Sequence, residues 1–135
     1  MRRNHLPAVE IQMPSSVDEC SRLRKVVCRL ASAAFRDPSA IADVELAVGE
    51  AFSNAVKYGD ENGKVSVRVE TSSRRRIAVQ VDYPGSNFDT TVRFPQDVLN
   101  AEGGFGRFIM RQTMDSMEYF FEGNHTTLRM TKRDV

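Results

Sequence analysis

The stretch from Pro38 to Gly59 constrains the fold of this chain most strongly, because its residues indicate where a helix begins, where it ends and which face it buries. Asp37 can cap the first turn, and Pro38 suits the first helical position. Gly59 can adopt the left-handed conformation that ends many helices. Between these marks, apolar residues recur at steps of three and four and predict one buried stripe: Ile41, Val44, Val48, Ala51 and Ala55.

Glu50 and Asn54 lie one turn apart on this helix, at the edge of the predicted buried face. At about 100° per residue their side chains are only ~40° apart and roughly a right angle from the middle of the apolar stripe. A helix edge in this position borders a cleft, where a carboxylate and an amide can meet a ligand. The same residues also suit an ordinary amphipathic helix with surface polar groups, so other parts of the chain must distinguish the two interpretations.

Length and composition favour one globular domain spanning residues 1–135. The chain is 41% hydrophobic and 27% charged, and its net charge is +1. These values indicate neither nucleic acid nor an anionic membrane as a partner, and no apolar run is long enough to span a bilayer. No secretory signal is apparent, and Cys20 and Cys28 would be about 12 Å apart on one helix, too far for a disulfide. A cytoplasmic protein with reduced cysteines is therefore expected.

Alternating apolar and polar residues predict strands before and after the helical part of the chain. A helix capped by Ser15 or Ser16 and ending near Phe35 precedes the Pro38 helix, and another follows the glycines at 103–106. The predicted strands span residues 6–13, 64–70, 76–82, 116–121 and 126–131. This order of elements predicts an α+β fold, with hairpins that bury one face.

A strand-end carboxylate and a glycine cluster add chemistry to this framework. A glycine-rich approach to a helix N-terminus offers backbone N–H groups and the positive end of the helix dipole, which suit phosphate. An Asn oxygen suits Mg²⁺, a nearby Glu can accept a proton from a nucleophile, and a buried Asp can accept a hydrogen bond from an exocyclic amine such as that of adenine. Each feature alone also has an ordinary structural explanation, but together they predict a nucleotide site. The residues concerned are Asp82, Gly85, Gly103, Gly104 and Gly106.

The order of these features resembles that of the GHKL, or Bergerat-fold, ATPases, which include gyrase and histidine kinases. Glu50–Gly59, EAFSNAVKYG, resembles the N-box of that group, and Gly103–Asp115, GGFGRFIMRQTMD, resembles its second glycine box. The run through MDSMEY to the closing TLRMTKR is similar to the small bacterial anti-sigma factor serine kinases. The resemblance extends from Ile11 to Arg133. It implies the histidine-kinase-like ATPase fold, a two-layer α+β sandwich with a mixed, mostly antiparallel sheet and helices on one face.

The resemblance also implies roles for the residues of the two boxes. Glu50 would be the general base, and Asn54 would bind both ATP and its Mg²⁺. Gly104 and Gly106 would let the backbone approach the phosphates, with Gly103 as a hinge. The stretch between Phe88 and Gly103 would form a lid over the nucleotide, because a long connection inside a compact domain is usually functional or mobile.

The first glycine box departs from the pattern of the family. Asp82 would bind the adenine amino group, and the family usually places a glycine two positions after this aspartate. Here Pro84 stands at that position and Gly85 follows one residue later. A one-residue shift of the loop could preserve the turn, but Pro84 removes a backbone donor and fixes φ. Tyr58 stands where many relatives have histidine and is expected to pack.

The implied function is that of an ATP-binding anti-sigma factor that phosphorylates a serine of an anti-sigma antagonist and sequesters a sigma factor. Both proteins are expected partners, a homodimer is possible, and neither nucleic acid nor a membrane is expected. A histidine kinase is disfavoured because no phospho-acceptor helix pair precedes the domain, and gyrase-like ATPases need further domains. The alternative is a degenerate, non-catalytic module that has lost ATP and regulates transcription by partner contact alone.

Overall fold

A five-stranded sheet is the framework of the computed structural model, which describes residues 8–72, 74–85 and 104–134. The strands are β1 (Ala8–Pro14), β2 (Lys64–Ser72), β3 (Arg76–Pro84), β4 (Ser116–Glu122) and β5 (His125–Arg133). Their order in the sheet is β1-β2-β3-β5-β4. Every pairing between these described strands is antiparallel, so the sheet lacks the parallel component that was expected of a mixed sheet.

Within the described ranges, three helices pack on one face of this sheet: α1 (Cys20–Ala34), α2 (Pro38–Tyr58) and α3 (Gly104–Thr113). A 3-10 turn, Val17–Glu19, leads into α1. Since α1 carries the chain along the sheet and α2 brings it back, β2 begins beside the end of β1, with Pro14 opposite Lys64. The predicted two-layer sandwich with helices on one face is confirmed by this arrangement.

Ser16 caps the 3-10 turn that leads into α1 and Asp37 caps α2 as predicted, whereas the end of α2 differs from the prediction. The Ser16 hydroxyl accepts a hydrogen bond from the Asp18 N–H, and the Asp37 carboxylate accepts one from the Ser39 N–H at 2.9 Å. Gly59 ends α2 with φ at −87°, so the predicted left-handed conformation is wrong. Glycine is needed there because a Cβ would lie 2.5 Å from the Ala55 carbonyl oxygen.

The core lies between the helices and the inward side chains of the three central strands. Four of the five residues in the predicted stripe of α2 are buried, and only Ile41 is partly exposed. Each fully buried aliphatic or Phe side chain contributes about 1.5–3 kcal/mol to folding. The other face of the sheet is polar and is covered by no helix of the described ranges. The fully buried core includes Leu23, Val27, Val44, Val48, Phe52, Val65, Val67, Val79, Val81, Leu128 and Met130.

One predicted element cannot be compared with the structure. The lid between Phe88 and Gly103, together with its hinge at Gly103, lies outside the described residues. Among the helices in the described ranges, none combines the length and the apolar character needed to cross a membrane.

Candidate functional site

Helices α2 and α3 come together where Gly106 faces Glu50 and Asn54. A Cβ at position 106 would lie 3.0 Å from Oε1 of Glu50, and 3.3 Å from Oδ1 and 3.4 Å from Nδ2 of Asn54. Real Cβ atoms rarely contact neighbours at 3.0 Å, so a glycine at this position lets α3 approach both side chains without displacing them. The structure thus brings together three of the residues singled out in the sequence.

Asn54 is a buried polar residue in the middle of this contact. It is only 3% exposed, and among the described residues its Nδ2 has no hydrogen-bond partner. An unsatisfied buried donor costs about 1–3 kcal/mol, so packing alone does not explain an amide at this position. A ligand that uses the amide would explain it, and an amide oxygen is the type of ligand that Mg²⁺ prefers.

Glu50 is half-buried and lies one turn before Asn54, with Oε1 directed towards the first turn of α3. On its other side, Arg24 of α1 lies over Gly49, where a Cβ would be 3.2 Å from the Arg24 Cδ. The Arg24 Nε is 3.9 Å from a carboxylate oxygen of Glu45, so this arginine forms an ion pair with another residue of α2. The Glu50 carboxylate thus borders the space beside Gly106, and its role as a general base stays a prediction.

The N-terminus of α3 lies beside the same two side chains. Helix α3 begins at Gly104, and Gly106 is in its first turn. The first N–H groups of a helix have no partner within the helix, and with the helix dipole they favour an anion. The predicted phosphate contact of Gly104 and Gly106 therefore lies next to the candidate metal ligand, while Gly103 is outside the described residues.

The structure does not bring Asp82 to this site. Strand β3 continues to Pro84, so the prediction that Asp82 ends the strand beside the cleft is wrong. Alternation along β3 places Asp82 on the uncovered face of the sheet. There its Oδ1 accepts a hydrogen bond from the Thr127 hydroxyl at 2.6 Å, and its Oδ2 accepts one from the Gln80 amide at 3.0 Å.

Tyr83 takes the inward position that Asp82 lacks. Tyr83 is 2% exposed, and its ring contacts Gly59, where a Cβ would lie 2.8 Å from Cδ2. Burial and the neighbouring Tyr119 raise the pKa of the Tyr83 hydroxyl, which is therefore neutral at physiological pH. The sequence contained the signal for this position, since Tyr83 continues the inward series that Val79 and Val81 begin.

The Tyr83 hydroxyl has polar side chains near it but lacks a well-formed hydrogen bond among the described residues. Within the described ranges it makes no hydrogen bond of good geometry, although Thr126 is close enough to lower its pKa slightly. The Thr126 hydroxyl itself donates to the Gly85 carbonyl oxygen at 2.7 Å.

Gly85 directly follows β3 and packs against Gly59 and Asp60 at the end of α2. Its φ is +114°, and a Cβ there would lie 2.7 Å from both the Asp60 nitrogen and the Gly59 Cα, so only glycine fits. Its N–H donates to the Asn124 carbonyl oxygen at 2.7 Å, and its carbonyl oxygen accepts from Thr126. Both backbone groups are thus used within the protein, and its cofactor-binding role stays a prediction.

Tyr119 and Arg107 connect the Asn54 end of this region with Tyr83. The Arg107 guanidinium carbon lies 5.4 Å from the centroid of the Tyr119 ring, a cation–π contact. Burial raises the pKa of the Tyr119 hydroxyl, and the nearby side chain of Asn54 opposes this shift. Burial lowers the pKa of Arg107, which still remains a cation. Neither residue was singled out in the sequence, although Arg107 lies within the second glycine box, directly after Gly106.

Comparison with known protein families and sequences shows what this chain is similar to. Residues 13–132 match the family model of the histidine kinase-like ATPase domain. The chain is 30% identical over 126 residues to the serine-protein kinase RsbW of Listeria monocytogenes serovar 1/2a, covering 84% of this chain and 80% of the relative. It is 28% identical over 144 residues to the serine-protein kinase RsbW of Bacillus subtilis strain 168, covering 96% and 88%.

Solved structures show the same fold. The RsbU and RsbW domains of Rv1364c from Mycobacterium tuberculosis match with a TM-score of 0.71 and 18% identity, over 94% of this chain and 32% of that one. The histidine kinase domain of a blue-light activated histidine kinase from Erythrobacter litoralis EL346 matches with a TM-score of 0.59 and 18% identity, over 89% and 61%. This chain spans less than two thirds of either structure. At such identities the likeness concerns the fold, and it confirms the predicted histidine-kinase-like ATPase architecture.

Proposed function

The chain belongs to the histidine kinase-like ATPase domain family, and on this premise we propose that it is an anti-sigma factor that binds Mg²⁺ and ATP between α2 and α3 and phosphorylates a serine of a partner protein. The observation that carries the proposal is the contact of Gly106 with both Glu50 and Asn54. It places a carboxylate, an amide and a helix N-terminus around one point. Phosphoryl transfer needs a base, a metal ligand and a cradle for phosphate at such a point.

The residues at this point fit the phosphate end of ATP. Asn54 supplies an oxygen ligand for Mg²⁺, and the α3 N–H groups near Gly104 and Gly106 bind phosphate oxygens. The described residues contain no cluster of three or more His, Cys, Asp or Glu that could hold a metal ion. A single protein ligand such as Asn54 fits Mg²⁺, which usually binds through one or two protein groups and takes its other ligands from phosphate and water.

Glu50 is the proposed general base. When bound, Mg·ATP supplies the phosphoryl group, and the partner protein supplies a serine hydroxyl. The Glu50 carboxylate accepts the hydroxyl proton, while Asn54 and the start of α3 keep the reacting groups aligned. The half-burial of Glu50 keeps bulk water away from one side of this carboxylate.

The partners follow from the relatives. The name serine-protein kinase, carried by the RsbW relatives, supports a serine hydroxyl as acceptor. The resemblance to anti-sigma factor kinases supports an anti-sigma antagonist as the protein that is phosphorylated and a sigma factor as the protein that is sequestered. Since sigma factors act in the cytoplasm, this protein would act there too, and a homodimer fits the same proposal.

One observation favours a second candidate, a protein-binding module that no longer uses ATP. Tyr83, and not a carboxylate, faces the helices at the end of β3. Thermal unfolding with millimolar Mg·ATP separates the candidates, because a ligand that binds only the folded state raises the melting temperature. A rise supports the kinase, and no change supports the module.

The kinase proposal is tested by Asn54→Ala, with Ser53→Ala on the exposed side of the same turn as its matched control. Asn54→Ala should abolish Mg-dependent ATP binding and transfer to the antagonist, measured by calorimetry and with labelled ATP. Its melting temperature without ligand should not fall, since an unsatisfied buried donor is removed. A folded Asn54→Ala protein with the affinity and transfer of Ser53→Ala would contradict the proposal.

A further inference from the structure

Tyr83 is the side chain that β3 presents to the helices at the end of the strand where the candidate site lies. Its ring contacts Gly59, the residue that ends α2, and Asn54 is in the last turns of the same helix. At ~1.5 Å per residue, Gly59 is about 7.5 Å along the axis from Asn54. Tyr83 therefore lies beyond Asn54 on the side where α2 ends, within the same layer of the fold.

Four elements have a polar or aromatic side chain that influences the pKa of the Tyr83 hydroxyl. The ionisation of its hydroxyl is influenced by Tyr119 of β4, Thr126 of β5, Tyr58 of α2 and Arg107 of α3. Asn54 is near enough to lower the pKa of the Tyr119 hydroxyl, and Arg107 directly follows Gly106 in α3. Residues beside Gly106 and Asn54 thus also influence Tyr83.

We propose that the Tyr83 ring fills the end of the site in which a nucleobase would lie, so that the site binds the metal and polyphosphate of a nucleotide without selecting its base. This inference rests on the proposed nucleotide site between α2 and α3. The one carboxylate of β3, Asp82, faces the opposite side of the sheet and is bonded to Thr127 and Gln80. Strand β3 thus directs no carboxylate towards an adenine amine, and the buried Tyr83 ring occupies the inward position instead.

The ring and not the hydroxyl is the part of Tyr83 that fills this space. The hydroxyl makes no hydrogen bond of good geometry among the described residues, whereas the ring lies directly against the end of α2. Phe at this position would keep the ring and remove only the hydroxyl. Ala would remove the ring and open the space, which a purine base could then enter and bury.

The test is calorimetric titration of wild type, Tyr83→Phe and Tyr83→Ala with Mg·ATP, Mg·GTP and Mg·tripolyphosphate, which lacks base and ribose. Wild type and Tyr83→Phe should bind all three ligands with dissociation constants within about threefold of one another. Tyr83→Ala should bind both purine nucleotides roughly tenfold or more tightly than tripolyphosphate, because a base buries apolar surface in the opened space. Tyr83→Leu, which keeps an apolar side chain without the ring, replaces Tyr83→Ala if that variant does not fold.

The outcomes separate this inference from the proposed function. If wild type binds ATP more than about tenfold more tightly than tripolyphosphate, the base is recognised and the inference is overturned while the nucleotide site remains. An unchanged ratio in folded Tyr83→Ala or Tyr83→Leu overturns it as well. If no variant binds ATP or tripolyphosphate, the proposed function fails, and the inference fails with it.

Discussion

The two ends of the candidate site are built by different means, and they differ in how closely they follow the chemistry of an ATP site. At the phosphate end, Glu50 and Asn54 of α2 meet Gly106 of α3, and the three residues suit a base, a metal ligand and a phosphate cradle. At the base end, β3 turns Asp82 away and presents the buried ring of Tyr83. The comparison teaches that two helices can keep the residues of one end of a site while a single strand beside them changes the side chain at the other end.

The largest effect is expected from closing the phosphate end with Gly106→Val. A Cβ at this position already lies 3.0 Å from a Glu50 oxygen, and a branched side chain would displace both Glu50 and Asn54. Binding of Mg·ATP and of Mg·tripolyphosphate should both fall below detection in calorimetry, because they share this end of the site.

The matched control is Gln112→Val, which places the same side chain on an exposed position of α3. Gln112→Val should bind both ligands like wild type. If Gly106→Val folds and binds both ligands as the control does, phosphate does not bind where α2 contacts α3. The proposed difference between the two ends of the site would then be wrong.

The phosphate end could be predicted from sequence because helix geometry is local. The four-residue step from Glu50 to Asn54 places both side chains on one edge, and the spacing of the apolar stripe determines which edge borders the core. The closeness of Gly106 could not be derived in this way, since it depends on the packing of α3 against α2. Only the resemblance of the two boxes indicated it.

The position of Asp82 was predicted wrongly because a strand has a period of two. A shift of one residue moves a side chain to the other face of the sheet, and Asp82 and Tyr83 differ by that one residue. The alternation of Ile77 and Val79 with polar residues already placed Tyr83 inward. Asp82 was chosen as the adenine ligand because a carboxylate can accept a hydrogen bond from an amine. Its position in the pleat, however, predicts that it faces away from the helices. The fold class, in contrast, was predicted correctly. At Gly59 the conformation was not, because a glycine at a helix end need not be left-handed.

A smaller effect, on the chemical step alone, is expected from Glu50→Gln. The amide keeps the size of the side chain and its place beside Gly106 but cannot accept a proton as a base. Transfer to the partner protein in single-turnover assays should slow by about 10²–10⁴-fold, while Mg·ATP affinity changes little. Glu45→Gln, on the same helix beside Arg24, is the matched control and should leave the rate unchanged. Loss of binding together with a large fall in melting temperature would make Glu50 structural instead.

The smallest effect, and the sharpest test of the contrast between the ends, is expected from Asp82→Ala. The Asp82 carboxylate lies on the uncovered face of the sheet, where the Thr127 hydroxyl and the Gln80 amide donate to it. Losing these partly exposed hydrogen bonds should lower the free energy of unfolding by about 1 kcal/mol, measured by denaturant titration. The dissociation constants of Mg·ATP and Mg·GTP should stay within about twofold of wild type, since the side chain is separated from α2 by the thickness of the sheet.

Asp82→Asn, which retains an acceptor for Thr127, should recover most of the stability and bind nucleotides equally. If both variants instead lost ATP affinity by about tenfold while GTP binding was unaffected, the carboxylate would recognise adenine after all. The base end would then follow the ATP-site pattern as the phosphate end does, and Tyr83 would not fill the space of the base.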